Sequence, residues 1–276
     1  MNADFSHLAL FAAALIVTGG MSGFLAGLLG VGGGIIVVPI LYLLFPMLDV
    51  AEEIRMHLAV GTSLATIIPN AITSARSHLK LNSLDAGLFR KLATPLLFGV
   101  IAGSIFGGKS SGRILMFTFA VIALLVAFYM FFRRDTWIIR KDLTTSGAWR
   151  IPISLFVGWF SVLMGIGGGT LLVPILSLFN LDMRRAIGTG AAAGIIIGVP
   201  GLLGFIATGW SNPLLPPFSL GYCSLIGFAL IVPSSMMTVK YGVRIAHSIG
   251  PAPLRKIFGC FLLATSTKMF FSAFGI

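Results

Sequence analysis

The fold is decided by a stretch that occurs twice, as GLLGVGGGIIVVPIL at Gly27–Leu41 and as VLMGIGGGTLLVPIL at Val162–Leu176. Each copy places three consecutive glycines in an apolar, uncharged run, with a proline five residues after the last glycine. Glycine is a weak helix former, so three in a row predict that an apolar helix breaks there. The two copies therefore predict two broken helices at matched positions of a duplicated chain.

A second landmark follows each glycine tract in the same order. AVGTSLA at Ala59–Ala65 resembles AIGTGAA at Ala186–Ala192. Two landmarks in one order indicate an internal repeat. We predict a first repeat at residues 1–132, a connecting loop at 133–150 and a second repeat at 151–276.

The composition places the chain in a membrane. Hydrophobic residues make up 57% of it and charged residues only 10%, against about 25% charged in soluble domains. The mean hydropathy is +1.02, and several uncharged runs approach the ~20 residues that cross a bilayer. Strand-like alternation is absent, so we predict helices and no barrel. The net charge of +11 is spread over short loops, which favours a topology signal and no nucleic-acid partner.

The charges decide whether each glycine segment crosses the membrane or turns back. If each turns back as a hairpin, with the N-terminus outside, the residues Arg55, Lys109, Arg113 and Lys268 lie outside, and the other 15 of the 19 Lys and Arg lie in cytoplasmic loops. If each segment crosses once, the same residues divide 9 to 10. Because cytoplasmic loops carry an excess of Lys and Arg, the hairpin arrangement is favoured.

Each half then consists of a hairpin followed by three crossings. Because three is odd, the halves insert in opposite orientations, which is an inverted-topology repeat and is common among secondary transporters. We predict an all-α, multi-pass protein of the bacterial inner membrane, with both termini outside and the lipid bilayer as its surroundings. The sequence indicates no particular oligomeric state.

The hairpin tips predict a binding site. Non-helical backbone in a membrane must be buried in protein or line a polar cavity. Tips that enter from opposite faces meet near the midplane, where segments 34–46 and 170–179 each begin a half-helix. A helix N-terminus carries free N–H groups and about half a positive charge, so two of them facing one cavity bind an anion. The predicted substrate-binding residues are Gly30, Gly32, Gly33, Gly34, Thr62, Ser63, Gly165, Gly167, Gly168, Gly169, Thr170 and Thr189.

Other interpretations compete at several positions. For Thr62 and Thr189, site lining and hydrogen bonding between helices fit the sequence equally well. Lys268 is interpreted as a cation that snorkels to the outer interface, the alternative being a cation in the site. Close helix packing is the favoured interpretation of three glycine series with GxxxG spacing. These series are Gly19/Gly23/Gly27, Gly99/Gly103/Gly107 and Gly190/Gly194/Gly198.

The sequence offers little for catalysis. It has no HExxH motif and no paired aspartates within an apolar segment. Cys223 and Cys260 lie far apart in apolar stretches and are interpreted as small buried residues. We predict no enzymatic activity, no cofactor and no metal.

The doubled glycine motif, with VGTS and IGTG following it, resembles the TauE/SafE-type sulfite exporter family. The likeness covers most of the chain. It implies transport of sulfur-containing anions such as sulfite or sulfoacetate. The motif residues carried over by position are Gly30, Gly32, Gly33, Gly34, Pro39, Gly165, Gly167, Gly168, Gly169 and Pro174.

These observations predict a transporter that exports a small sulfur-containing anion by alternating access. The anion is expected at two half-helix N-termini near the midplane. The alternatives are transport of another small anion, an uptake system, or a membrane scaffold without transport.

Overall fold

A computed structural model describes residues 5–132, 147–248 and 251–274 of the chain. Over these ranges the chain forms ten α-helices and no strand. The first half contains α1 (Phe5–Leu29), α2 (Gly34–Leu44), α3 (Glu52–Lys80), α4 (Ala86–Lys109) and α5 (Gly112–Phe132). The second half contains α6 (Gly147–Met164), α7 (Gly169–Leu178), α8 (Met183–Gly209), α9 (Leu225–Ser248) and α10 (Pro251–Phe274).

Six of the described helices are long and apolar enough to cross a membrane, namely α1, α3, α4, α5, α8 and α9. The prediction of an all-α, multi-pass membrane protein is therefore confirmed. α7 has 10 residues, which span ~15 Å, about half of a ~30 Å hydrocarbon core. α2 is similarly short, with 11 residues.

Both helix breaks lie in the glycine tracts, as predicted. α1 ends at Leu29 and α2 begins at Gly34, while α6 ends at Met164 and α7 begins at Gly169. α2 is buried on all sides along Gly34–Pro39, because the surrounding helices enclose it. Of the predicted connecting loop 133–150, residues 133–146 lie outside the described ranges. α6 begins at Gly147, within the range predicted for the connecting loop.

The helix packing is symmetric between the halves. α1 packs on α9 just as its counterpart α6 packs on α4. α2 packs on α3 as α7 packs on α8, and α3 packs on α9 as α8 packs on α4. α5 packs on its own counterpart α10, and α3 on its counterpart α8. Exchanging each helix for its counterpart therefore preserves the main packing pairs, as expected of a duplicated fold.

Glycine contacts give the direction in which neighbouring helices run. Gly19 of α1 faces Ile231 of α9, and Gly27 faces Val239, so the contacts advance together. α1 and α9 therefore run in the same direction. α3 runs with them, because Thr62 contacts Ser224 just before α9 and Asn70 contacts Ser235.

The second group of helices runs the other way. Gly99 and Gly107 of α4 face Leu155 and Leu163 of α6, so these two helices are parallel. α8 runs parallel to α4, because Ser104 faces Gly204 and Gly108 faces Thr208. α3 and α8 are antiparallel, since Ala71 faces Gly194 and Leu64 faces Gly201. The counterparts α1 and α6 thus run in opposite directions. The inverted repeat itself stays a prediction, and these directions support it.

Close packing at the three GxxxG series is confirmed. A Cβ added at Gly23 would overlap the Ser235 carbonyl oxygen. At Gly103 it would lie 2.7 Å from Val162 Cγ1, and at Gly194 3.0 Å from Ala71 Cβ. These glycines allow neighbouring helices to approach closely, which is how small residues stabilise helix pairs in membranes.

Candidate functional site

The two glycine tracts contact each other directly. The Gly167 amide donates a hydrogen bond to the Val31 carbonyl oxygen over 3.0 Å. A Cβ added at Gly167 would lie 2.9 Å from Gly32 Cα. A Cβ added at Gly34 would overlap the carbonyl oxygen of Gly165, and a Cβ added at Gly169 would overlap the carbonyl oxygen of Gly30. We call this contact, between residues 30–34 and 165–169, the glycine crossing.

Glycine is required at the crossing for two reasons: a side chain would not fit, and the backbone takes a conformation that other residues rarely adopt. φ is +82° at Gly33 and +62° at Gly165, a region that L side chains rarely adopt. Gly30 and Gly32 also have positive φ, whereas Gly168 is right-handed with φ −57°. The first tract is therefore more restricted to glycine than the second.

The N-termini of both half-helices lie at the crossing. Gly33 is the N-cap of α2, and its carbonyl oxygen accepts from the Ile36 amide over 3.1 Å. Gly168 is the N-cap of α7, and its carbonyl oxygen accepts from the Leu172 amide over 2.8 Å. Neither cap has a side-chain hydrogen bond to the helix. The positive ends of two helix dipoles therefore meet in a buried place.

Three hydroxyl side chains surround the crossing. Ser63 donates to the Gly165 carbonyl oxygen over 2.6 Å, and Ser22 donates to that of Gly33 over 3.2 Å. Thr170, in the first turn of α7, is 1% exposed, and its Oγ1 has no hydrogen-bond partner in the described part of the chain. Buried hydroxyls nearly always have a partner, so this one needs an explanation.

Thr62 and Thr189 each accept a hydrogen bond from a backbone amide at the start of a neighbouring helix. Thr62 Oγ1 accepts from the Ser224 amide over 2.8 Å, and Thr189 Oγ1 accepts from the Asp85 amide over 3.4 Å. Asp85 caps α4 through the Leu88 amide, and Ser224 caps α9 through the Gly227 amide. Each threonine therefore joins the third helix of one half to the capped fourth helix of the other. These contacts are hydrogen bonds between helices, one of the two roles that the sequence leaves open, and substrate binding by Thr62 and Thr189 stays a prediction.

A buried polar stripe runs along α3 away from the crossing. Its members are each at most 1% exposed, namely Ser63, Thr66, Asn70, Ser74 and His78. Asn70 Oδ1 accepts from Ser235 Oγ over 2.8 Å, whereas its Nδ2 has no partner among the described residues. The sequence alone indicates the first three members, Ser63, Thr66 and Asn70. The same helical spacing of three and four residues extends the series to Ser74 and His78.

The matched face of α8 is apolar. The positions that correspond to the stripe, by the register that aligns Thr62 with Thr189, are Gly190, Ala193, Ile197, Gly201 and Phe205. Ile197 and Phe205 are fully buried, and the Phe205 ring packs edge-on against Tyr222 with 6.4 Å between ring centroids. The two halves are therefore alike in fold but different in polarity on either side of the crossing.

Two other residues raised by the sequence lie away from the crossing. Lys268 is exposed on α10, as expected for a snorkelling cation. Cys223 is buried, and burial raises the pKa of its thiol to about 11, so the thiol stays protonated. Cys260 is exposed, and the prediction that both cysteines are buried is wrong for Cys260.

A multi-pass helical protein whose two central broken helices meet at their N-termini has the architecture of a secondary transporter. The model of the family described as "Sulfite exporter TauE/SafE" matches residues 15–269. The chain therefore belongs to the TauE/SafE sulfite exporter family, and it is a membrane transporter.

Three curated relatives cover between 72% and 92% of the chain. A protein of Haemophilus influenzae named "Probable membrane transporter protein" is 35% identical over 260 residues, which is 92% of this chain and 96% of the relative. A Methanocaldococcus jannaschii protein with a similar name is 27% identical, over 87% of this chain and 88% of the relative. YunE of Bacillus subtilis, also named a probable membrane transporter, is 24% identical over 72% and 79%. No solved structure matches this chain.

Proposed function

We propose that the protein exports a small sulfur-containing oxyanion, of the sulfite or sulfoacetate kind, across the bacterial inner membrane. The observation that carries the proposal is the meeting of two buried half-helix N-termini at the glycine crossing. The family description, which names sulfite export, supports the substrate class.

The electrostatics of the interior favour an anion. Among the described residues, no Lys, Arg, Asp or Glu side chain is buried. The fixed charge at the crossing is therefore that of the two helix N-termini, about half a positive charge each. Backbone N–H groups of the tracts and the unpartnered Thr170 hydroxyl supply donors that suit the oxygens of a sulfur oxyanion.

In this conformation the crossing is closed, because the tracts are in van der Waals contact and share a backbone hydrogen bond. We propose that the anion enters when the α1–α2 and α6–α7 hairpins separate, which breaks the bond between Gly167 and Val31. Opening toward one face and then the other is alternating access. The opposite directions of α1 and α6 support the inverted repeats that such a motion uses.

The difference between α3 and α8 supports a polar cytoplasmic path. With both termini outside, the stripe from Ser63 to His78 leads from the crossing toward the cytoplasm. Asn70 Nδ2 can donate a hydrogen bond to an oxyanion that passes along this path. The matched outward path on α8 is closed by Ile197 and Phe205, which we assign as the outer seal.

The membrane potential supplies the driving force for export. A negative cytoplasm favours anion exit by ~2.3 kcal/mol per charge per 100 mV, hence ~4.6 kcal/mol for a dianion. Export therefore needs no coupling ion, and we propose none.

Reconstituted protein tests the proposal. Proteoliposomes loaded with sulfite, sulfoacetate or a carboxylate such as succinate are given a potential, negative inside, and efflux is measured. We expect efflux of the sulfur anions to exceed that of succinate. Equal efflux of all three anions, or efflux no faster than from anion-loaded liposomes without protein, would overturn the substrate assignment. Retention of sulfite with uptake under the reversed potential would indicate an uptake system.

A further inference from the structure

A groove at one end of the molecule lies between α3 and α9. It encloses about 910 Å³. Four basic side chains line it, Arg76 and Lys80 from α3 and Lys240 and Arg244 from α9, together with the apolar Met236 and Met237. We call it the cationic groove. It is distinct from the glycine crossing, and none of the residues that line it belongs to the repeated motifs of the sequence.

The charge of this groove is unbalanced. No acidic residue lines it. Over the described ranges the one ion pair is Arg185–Asp85, at 3.6 Å, so none of the four cations has a carboxylate partner. Each helix also carries its two cations four residues apart, a spacing at which like charges repel. A bound anion would relieve this repulsion.

The groove changes from apolar to cationic along its length. On α9 the exposed Met236 and Met237, 41% and 72% exposed, precede Lys240 and Arg244. From Met237 to Arg244 the helix rises ~10 Å. The cations lie toward the end of both helices, and the methionines toward the level of the Asn70–Ser235 contact. A small free anion needs only the cations, whereas an amphiphile matches both parts.

We propose that the cationic groove binds an anionic phospholipid. The phosphate oxygens lie among Arg76, Lys80, Lys240 and Arg244, and an acyl chain follows Met236 and Met237. Guanidinium and ammonium groups form charge-assisted hydrogen bonds with phosphate, and methionine adapts its shape to a flexible chain. The site depends on the protein being in a membrane and not on the transported substrate.

Binding to the full-length protein in neutral detergent tests the site. Native mass spectrometry measures the affinity for phosphatidylglycerol, phosphatidylcholine and inorganic phosphate. The groove variant is K240Q/R244Q. The matched control is R90Q/K91Q, which removes two exposed cations at the start of α4, outside the groove. We expect phosphatidylglycerol to bind the unaltered protein at least tenfold more tightly than phosphatidylcholine. The groove variant should lose about thirtyfold, and the control less than threefold.

A second variant separates a lipid from a small anion. Met237→Gln keeps all four cations but makes the apolar part polar, so it should weaken phosphatidylglycerol binding and leave phosphate binding unchanged. Equal losses in the groove variant and the control would overturn the site, because general surface charge would then explain the binding. Phosphate binding as tight as that of the lipid would instead make the groove a small-anion site.

Discussion

The amide of Gly167 donates a hydrogen bond to the carbonyl oxygen of Val31 over 3.0 Å, and it thereby joins the two repeats through backbone alone. Val31 lies in the first glycine tract and Gly167 in the second. The bond holds the N-termini of α2 and α7 together where the proposed anion would bind. Loading the site therefore requires that this bond break.

The left-handed cap of α2 predicts a stability cost for any side chain there. Gly33→Ala should destabilise the protein by at least about 1–2 kcal/mol, because φ is +82° and L residues avoid this conformation, and because the new Cβ would also overlap Ser22. Chemical unfolding in detergent measures the change. Gly20→Ala is the matched control, since a Cβ there has its nearest neighbour at 3.9 Å and α1 continues through it. Equal stability of the two variants would contradict the described backbone.

A substitution at Thr170 should change substrate binding without changing the stability of the fold. Its hydroxyl has no partner among the described residues, so Thr170→Val breaks no hydrogen bond and should leave the melting temperature unchanged or raise it. If the hydroxyl binds the anion, sulfite flux in proteoliposomes should fall at least tenfold. Unchanged flux together with an unchanged melting temperature would remove Thr170 from the site.

Thr62 should show the opposite behaviour. Thr62→Val leaves the buried Ser224 amide without its acceptor at 2.8 Å, which costs about 1–3 kcal/mol of stability. The KM for sulfite should stay unchanged in the protein that remains folded, because the hydroxyl faces α9 and not the crossing. A raised KM with normal stability would show that Thr62 contacts the substrate.

Asn70 tests the polar path. Asn70→Leu removes the amide whose Nδ2 lacks a partner in the described ranges, and we expect sulfite efflux to fall at least fivefold. Ser235→Ala is the control, because it also breaks the Asn70–Ser235 bond at 2.8 Å but keeps the free donor. If both variants lose efflux equally, the contact between α3 and α9 matters and the donor does not.

The helix breaks, the short half-helices and the close glycine packing could all be predicted from the sequence. They follow from local composition and from the charge count along the chain. The hydrogen-bond partners of Thr62 and Thr189 could not be predicted in this way. A repeat identifies matched positions, but which way a side chain points depends on the partner helix, and here each hydroxyl meets a cap of the other half. The cationic groove is not evident in the sequence, because the residues that line it come from two segments over 150 residues apart.

The central claim is that the anion binds where the two half-helix N-termini meet. Anomalous diffraction at the selenium edge tests it most directly, in crystals grown from protein already incubated with selenite at a concentration that inhibits sulfite flux, so that the crossing can open and load before the lattice forms. We predict an anomalous peak at the glycine crossing, between the N-termini of α2 and α7 and beside Thr170. A peak confined to the cationic groove, or no peak at the crossing, would contradict the account.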